Sequence, residues 1–193
     1  MKRLLIFGAA ICAVGTAQAT TFTFTPSPAD IYDLDHYSFY SWGIAWSIPQ
    51  GETIVEAELS FKNIWNWEDE ENHLYTHLLD NPLLGVTTFN DDQGGGDNWA
   101  GAGPLIGVWS DPVGGYSTNT DLKYKFSELG LIDDLNVFAA DGKFGFGFDP
   151  DCHYFNDGVK LKITTAPVPE PASMIALGIG IVGLARHRLK RKS

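Results

Sequence analysis

The clearest strand signal in the chain is the stretch IVEAELSFK, residues 54–62. Apolar and polar residues alternate along it with a period of two, which predicts a β-strand with one buried face. The residues expected on that face are Val55, Ala57, Leu59 and Phe61. Residues 73–79 alternate in the same way after an acidic turn, with His73 and His77 expected on the exposed side. We therefore expect this second run to pair with residues 54–62 as a long-looped hairpin.

Two further strands are predicted nearer the C-terminus. Phenylalanine occupies every second position from Phe144 to Phe148, with glycines between, and residues 159–165 alternate apolar residues with lysine and threonine. The spacing of apolar residues between positions 127 and 142 favours one short helix. Clusters of Asp, Asn and Gly separate the strands, so residues 20–164 are predicted to form an all-β domain, an antiparallel jelly-roll-like sandwich with one short helix.

The charge of this domain is strongly acidic. The chain has 13 Lys and Arg residues, of which only six fall within residues 20–164, and all six are lysine. Every acidic residue except Glu170 precedes position 165. Phosphate backbones are bound by clusters of Lys and Arg, so the composition argues against nucleic acid as a partner and favours cations or neutral sugars.

The N-terminus predicts export. Residues 1–19 comprise a positive start, an apolar run and the small-x-small sequence Ala17-Gln18-Ala19, which is the pattern of a cleavable signal peptide. Removal of this segment takes Cys12 with it and leaves Cys152 as the remaining cysteine. No intramolecular disulfide is then expected, although the compartment is oxidising.

The C-terminus has three parts in order. Val168-Pro169-Glu170-Pro171 closes a proline-rich linker at residues 165–171, residues 172–185 carry no charge, and residues 186–193 are basic. Residues 172–185 are predicted to form a single transmembrane helix. Fourteen helical residues would span about 21 Å, short of the roughly 30 Å hydrocarbon core, with the difference met by thinning of the bilayer and by snorkelling basic side chains. The basic residues place the tail in the cytoplasm and the domain outside.

This tail resembles the PEP-CTERM sorting domain. The resemblance implies that Val168, Pro169, Glu170 and Pro171 are the substrate motif of an exosortase, a membrane cysteine protease. It also implies a Gram-negative host that makes exopolysaccharide. The domain would be periplasmic and anchored in the inner membrane before processing, and would reach the cell surface or extracellular matrix afterwards. The central domain resembles galactose-binding-like sandwiches more distantly.

Three groups of residues are candidates for chemistry in the domain. Carboxylate and amide oxygens at Asp149, Asp151, Asn156 and Asp157 lie in one loop and could bind Ca²⁺, or form a solvated acidic turn. His73 and His77 are too far apart on a strand to share one metal ion. Exposed tryptophans stack on sugars whereas buried ones fill cores, and the candidates for carbohydrate stacking are Trp65, Trp67 and Trp99.

The sequence favours a non-catalytic protein of the cell surface or matrix, sorted by an exosortase and associated with exopolysaccharide or biofilm matrix. The alternative is a surface glycoside hydrolase that acts on matrix polysaccharide. Two convergent carboxylates in a cleft would support the hydrolase, and an exposed tryptophan platform would support the binding protein.

Overall fold

The alternating patterns become strands in the computed structural model, which describes residues 18–91 and 95–168. Its strands are β1 Thr20–Phe24, β2 Ser38–Ala45, β3 Glu52–Asn66, β4 Leu74–Asp80, β5 Gly85–Asn90, β6 Leu105–Trp109, β7 Thr120–Lys125, β8 Lys143–Pro150, β9 Tyr154–Phe155 and β10 Val159–Pro167. Two short helices, α1 Phe126–Leu129 and α2 Ile132–Ala139, lie where one helix is predicted. Gly130 separates them in the left-handed conformation, at φ 73°.

The strands form two antiparallel sheets. The first has the order β1-β10-β3-β7, with β9 also paired to β3, and the second has the order β5-β2-β8-β4-β6. An all-β protein built of antiparallel sheets is thus confirmed, while its assignment to the jelly rolls stays a prediction. The predicted hairpin between residues 54–62 and 73–79 is wrong. β3 and β4 belong to different sheets because the chain between them crosses from the first sheet to the second.

The core lies between the two sheets. Phe61 of β3 meets Phe148 of β8 edge to face, with ring centroids 5.6 Å apart. The inward side of β8 consists of Phe144, Phe146 and Phe148, all fully buried, as the alternation predicts. Side chains of this size contribute about 1.5–3 kcal/mol each on burial, which makes the phenylalanine layer a main source of stability.

A β-bulge corrects the predicted buried face of β3. The register with β10 shifts between Thr164 and Thr165, so that Val55 has no partner across the strand pair. Ile54 is consequently turned inward and is 2% exposed, whereas Val55 is 44% exposed. The prediction that Val55 is buried is wrong. Ala57, Leu59 and Phe61 are buried as predicted.

The ends of the domain lie close to the predicted boundaries. β1 begins at Thr20, and β10 continues to Pro167, three residues into the predicted linker at residues 165–171. Ala17, the predicted transmembrane helix at residues 172–185 and the basic tail lie outside the described residues. Within residues 18–91 and 95–168, no helix has both the length and the apolar character needed to cross a membrane.

Candidate functional site

An irregularity in β3 turns two tryptophans to the outside of the first sheet. The register with β7 shifts between Phe61 and Ile64, both of which are fully buried. Lys62 and Asn63 occupy the extra length on the outer side, where Asn63 has a φ of 48°. The next outward positions belong to Trp65 and Trp67, and Trp67 is 60% exposed.

Five aromatic side chains from three segments meet on this outer surface, and we call them the aromatic row. They are Tyr116, Trp65, Phe155, His153 and Trp67. Trp65 stacks on Phe155 with ring centroids 4.4 Å apart, and Phe155 stacks on His153 at 4.3 Å. Tyr116 meets Trp65 edge to face at 6.0 Å, and Trp67 meets His153 at 6.0 Å. The result is a continuous strip of rings across β9, β3 and the neighbouring loop.

Hydrogen bonds fix the loop that carries Tyr116. Asp111 accepts hydrogen bonds from the Thr118 hydroxyl at 2.6 Å and from the Gly114 amide at 3.2 Å. Asn66 of β3 donates to the carbonyl of Asp111 at 3.3 Å. A Cβ at Gly114 would lie 2.0 Å from the carbonyl oxygen of Glu68, so only glycine allows this close approach. The loop therefore holds Tyr116 against Trp65 rather than moving freely.

The two ends of the aromatic row offer the most open ring surface. Trp65 has one ring face against Phe155 and is half-buried, whereas Tyr116 is 67% exposed. A contiguous exposed apolar surface is characteristic of an interaction site. A flat apolar ligand face can lie on Trp67 and Tyr116, while the inner rings keep them in position.

Trp99 lies apart from the aromatic row, on the outer side of the second sheet. Its indole N–H donates to the carbonyl of Tyr40 at 3.1 Å, and its ring meets Phe39 and Phe89 edge to face. A Cβ at Gly147 would lie 2.7 Å from the indole ring, so the ring rests directly on the backbone of β8. Trp99 therefore anchors the segment 95–103 to its sheet, and its role in carbohydrate stacking stays a prediction.

The four candidate calcium ligands are not brought together. Asp149 accepts a hydrogen bond from the amide of Asn98, and Asp151 accepts one from the amide of Gly96 at 2.9 Å. The carboxylate of Asp151 also lies 3.5 Å from the imidazole of His73. Both aspartates thus hold the segment 95–98 against the second sheet.

The other two candidates serve the first sheet. Asn156 donates to the carbonyl of Asp30 and accepts from the amide of Gly158, each at 2.9 Å. Asp157 pairs with Lys62 at 3.6 Å and with the side chain of Asn63 at 2.5 Å. Among the side chains of residues 18–91 and 95–168, no group of three or more metal-ligating residues is close enough to hold an ion.

The most perturbed carboxyl group lies beneath the segment 95–103. Burial raises the pKa of Asp149 to about 6, against the lowering effect of the Asn98 amide, and the nearby charge of Asp97 adds to the increase. His77 is buried there too and contacts Asp97 at 3.0 Å and the carbonyl of Gly103 at 3.2 Å. The expectation that His77 lies on an exposed face is wrong, because this segment covers the outer side of β4.

Sequence reasoning did not include three members of the aromatic row. Tyr116, His153 and Phe155 come from a predicted turn and from the loop considered for calcium, and neither has a strand pattern. β9 has only two residues, and its pairing of Phe155 with Trp65 is a long-range contact. A sequence signal for β9 does exist: His153 and Phe155 alternate with Tyr154, which is buried while its two neighbours face outward.

The predicted sorting motif begins where the described domain ends. The amide of Val168 donates to the carbonyl of Gly51 at 2.8 Å, while Pro169, Glu170 and Pro171 lie outside the described residues. The model of the PEP-CTERM protein-sorting motif matches residues 167–191. The chain therefore carries this motif, which implies an exported protein that is processed by an exosortase and sorted through a membrane-anchored C-terminus in Gram-negative bacteria.

Comparisons of the whole chain add no functional assignment. No curated protein matches the sequence. Latent aurone synthase, a polyphenol oxidase from a natural source, matches with 12% identity, a TM-score of 0.39 and coverage of 72% of this chain and 26% of the enzyme. The recombinant latent enzyme matches with 11% identity, a TM-score of 0.39 and the same two coverages. The recombinant enzyme co-crystallised with hexatungstotellurate(VI) matches with 12% identity, a TM-score of 0.37 and coverage of 68% of this chain and 25% of the enzyme. The chain spans about a quarter of the length of these enzymes, and a likeness at this level carries no argument about activity.

Proposed function

We propose that this exosortase-sorted protein is a non-catalytic component of the bacterial surface or matrix that binds polysaccharide through the aromatic row. The observation that carries the proposal is the strip of five rings on the outer face of the first sheet. Its most exposed members are Trp67 and Tyr116. Sugar rings present apolar C–H faces that lose contact with water when they lie on an aromatic ring.

The shape of the site favours a polymer over a small ligand. Pockets for small molecules are concave and enclose most of the ligand surface. The aromatic row instead lies along the outside of a sheet and crosses three chain segments. Such a strip can contact several successive units of a chain, each weakly, and the summed contacts give useful affinity.

A glycoside hydrolase has less support. A general acid needs a raised pKa and access to the glycosidic oxygen. Asp149 has a raised pKa, but its side chain is 1% exposed and lies under the segment 95–103, on the other sheet from the aromatic row. The shift therefore reflects burial in a structural contact, and binding without cleavage is the function we propose.

The test is binding of the exported protein to the exopolysaccharide of its producing bacterium, measured by affinity electrophoresis. Trp67→Ala and Tyr116→Ala should each weaken binding about fivefold, because loss of one aromatic contact costs about 1 kcal/mol. Tyr37→Ala is the matched control, since Tyr37 and Tyr116 are both 67% exposed and Tyr37 makes no ring contact with the aromatic row. Equal effects of the two tyrosine substitutions would contradict the proposal.

A further inference from the structure

Five of the six lysines of the domain lie on the same face as the aromatic row. We call them the lysine patch: Lys62, Lys123, Lys125, Lys160 and Lys162. They occupy outward positions on β3, β7 and β10, which are adjacent strands of the first sheet. The sixth, Lys143, begins β8 in the second sheet. Because the rest of the domain is acidic, this face differs in charge from the remainder of the surface.

Strand register groups the lysines across the sheet. Lys160 and Lys123 are the direct partners of Ser60, and Lys162 and Lys125 are the direct partners of Glu58. Neighbouring strands are about 4.8 Å apart, so each lysine pair has backbones roughly 10 Å apart with one β3 residue between them. Across the first of these rows the small Ser60 side chain leaves space, and the two ammonium groups flank it.

A groove of about 400 Å³ lies over this row. Its lining includes Ser60, Lys123, Lys160 and Lys162, and it extends to Asp157 beside the second bulge of β3. Three of the lysines already have partners: Lys62 is 3.6 Å from Asp157, Lys123 is 4.0 Å from Glu58, and Lys125 is 3.0 Å from Glu128.

Two lysines remain available for a ligand. Within the described part of the chain, Lys160 and Lys162 make no ion pair, and both side chains are exposed. The fold therefore holds neither of them in an ion pair, although Lys162 has Glu58 as its cross-strand neighbour, whereas Lys160 faces Ser60. An anionic group in the groove can approach both of them, with the hydroxyl of Ser60 beside it.

We propose that the lysine patch binds the carboxylate groups of an anionic polysaccharide whose chain continues onto the aromatic row. This rests on the proposed function and adds the class of polymer. The two sites lie along one strand, from Ser60 to Trp67, a distance of roughly 20 Å at about 3.3 Å per residue. A single sugar cannot reach both, whereas an extended acidic polymer contacts the rings with its C–H faces and the lysines with its carboxylates.

The charge pattern favours a polysaccharide over nucleic acid. Glu56, Glu58, Asp121, Glu128 and Asp157 interrupt the lysine patch, and the domain sequence contains no arginine. Nucleic acid carries one negative charge per about 1.7 Å of duplex and needs a dense row of cations. Carboxylates spaced along a sugar chain can meet Lys160 and Lys162 while avoiding these acidic side chains.

The experiment compares native exopolysaccharide of the producing bacterium with the same polymer after chemical reduction of its carboxyl groups to alcohols. Binding of the full exported protein is measured at about 0.15 M salt, where charges further apart than about 8 Å are screened. We expect the native polymer to bind about fivefold more tightly than the reduced polymer. The double variant Lys160→Gln/Lys162→Gln should remove this difference, since it takes away the two lysines that make no ion pair within the described part of the chain. Lys143→Gln, the matched control, should retain it.

The outcomes separate this inference from the proposed function. Trp67→Ala should weaken binding of both polymers equally, because its contact does not depend on charge. Equal binding of native and reduced polymer by the unsubstituted protein overturns the lysine inference and leaves the aromatic site standing. A charge preference that survives the double lysine variant, or that Lys143→Gln also abolishes, overturns it as well. Tighter binding of a single-stranded DNA oligonucleotide than of native polymer would replace the polysaccharide with nucleic acid.

Discussion

Ile54 and Val55 are neighbours in β3, and the sequence pattern and the structure disagree about which of them is buried. The period of two places Val55 in the core, whereas the bulge opposite Thr164 and Thr165 places Ile54 there. Replacing each residue with alanine therefore tests whether the bulge exists. Asn136 of α2 supports it, accepting from the Ile54 amide at 2.9 Å and donating to the Ile54 carbonyl at 3.0 Å.

The expected costs differ severalfold. Ile54 is 2% exposed within the core, and removal of its side chain beyond Cβ should lower the free energy of unfolding by about 2–5 kcal/mol. Val55 is 44% exposed, and alanine there should cost about 0.5 kcal/mol, the usual scale for surface substitutions. In a domain of this size each kcal/mol lowers Tm by about 2–4 °C. The Ile54→Ala variant should thus melt at least about 3 °C below the Val55→Ala variant.

Chemical denaturation followed by tryptophan fluorescence gives the two free energies directly. Equal slopes with denaturant concentration for both variants and the unsubstituted protein are needed for the comparison. If Val55→Ala is the more destabilising substitution, β3 follows the simple alternation of its sequence and does not contain the bulge. The positions of Lys62 and Asn63 in the second bulge would then need the same test before Trp65 and Trp67 are placed outside.

Three other predictions concern titration, reactivity and sorting. Burial raises the pKa of Asp149 in the folded protein to about 6, from an ordinary value of 3.8. The folded protein therefore binds an extra proton between these pH values, and the associated stability is lost as pH rises through about 6. Between pH 4 and pH 7 the free energy of unfolding of the unsubstituted protein should fall by up to about 3 kcal/mol relative to that of Asp149→Asn. If the two proteins lose stability in parallel over this range, the raised pKa is contradicted. Cys152 is buried, and burial raises the pKa of its thiol, so iodoacetamide should modify it in urea and leave it intact in the folded protein; rapid labelling of the folded protein would show that the thiol is accessible. Glu170→Ala should keep the C-terminal tail on the protein in its native host, as read from the intact mass, whereas loss of the tail at the normal rate would exclude Glu170 from exosortase recognition.

The strands that could be recognised from sequence are those in which apolar residues occupy every second position and form one buried face. Phe144, Phe146 and Phe148 show this most clearly, because each outward position between them is glycine and the inward layer is uniform. Which strands pair with one another could not be predicted from the sequence in the same way. β3 and β4 are adjacent in the chain and separate in space, because local pattern does not say which sheet a strand joins.

The candidate site shows the same division. Trp65 and Trp67 were identifiable as residues that share one face of a strand. Tyr116 and Phe155 join them only through long-range pairing, at sequence separations that no local pattern records. The lysine patch was missed for a related reason, since its members are spread over three strands and are sparse along an acidic chain. Segment 95–103, anchored by Trp99, covers the second sheet and buries His77, which composition alone does not indicate.

Binding of polysaccharide without cleavage is the central claim, and one measurement addresses both halves of it. The full exported protein is incubated with exopolysaccharide from its producing bacterium; after ultracentrifugation, the bound protein is quantified and the molar mass of the polymer is determined by light scattering. We predict that the protein sediments with the polymer, that Trp67→Ala reduces the bound fraction, and that the molar mass of the polymer stays constant over time. Protein that remains in the supernatant, or a polymer whose molar mass falls during incubation, would contradict the account.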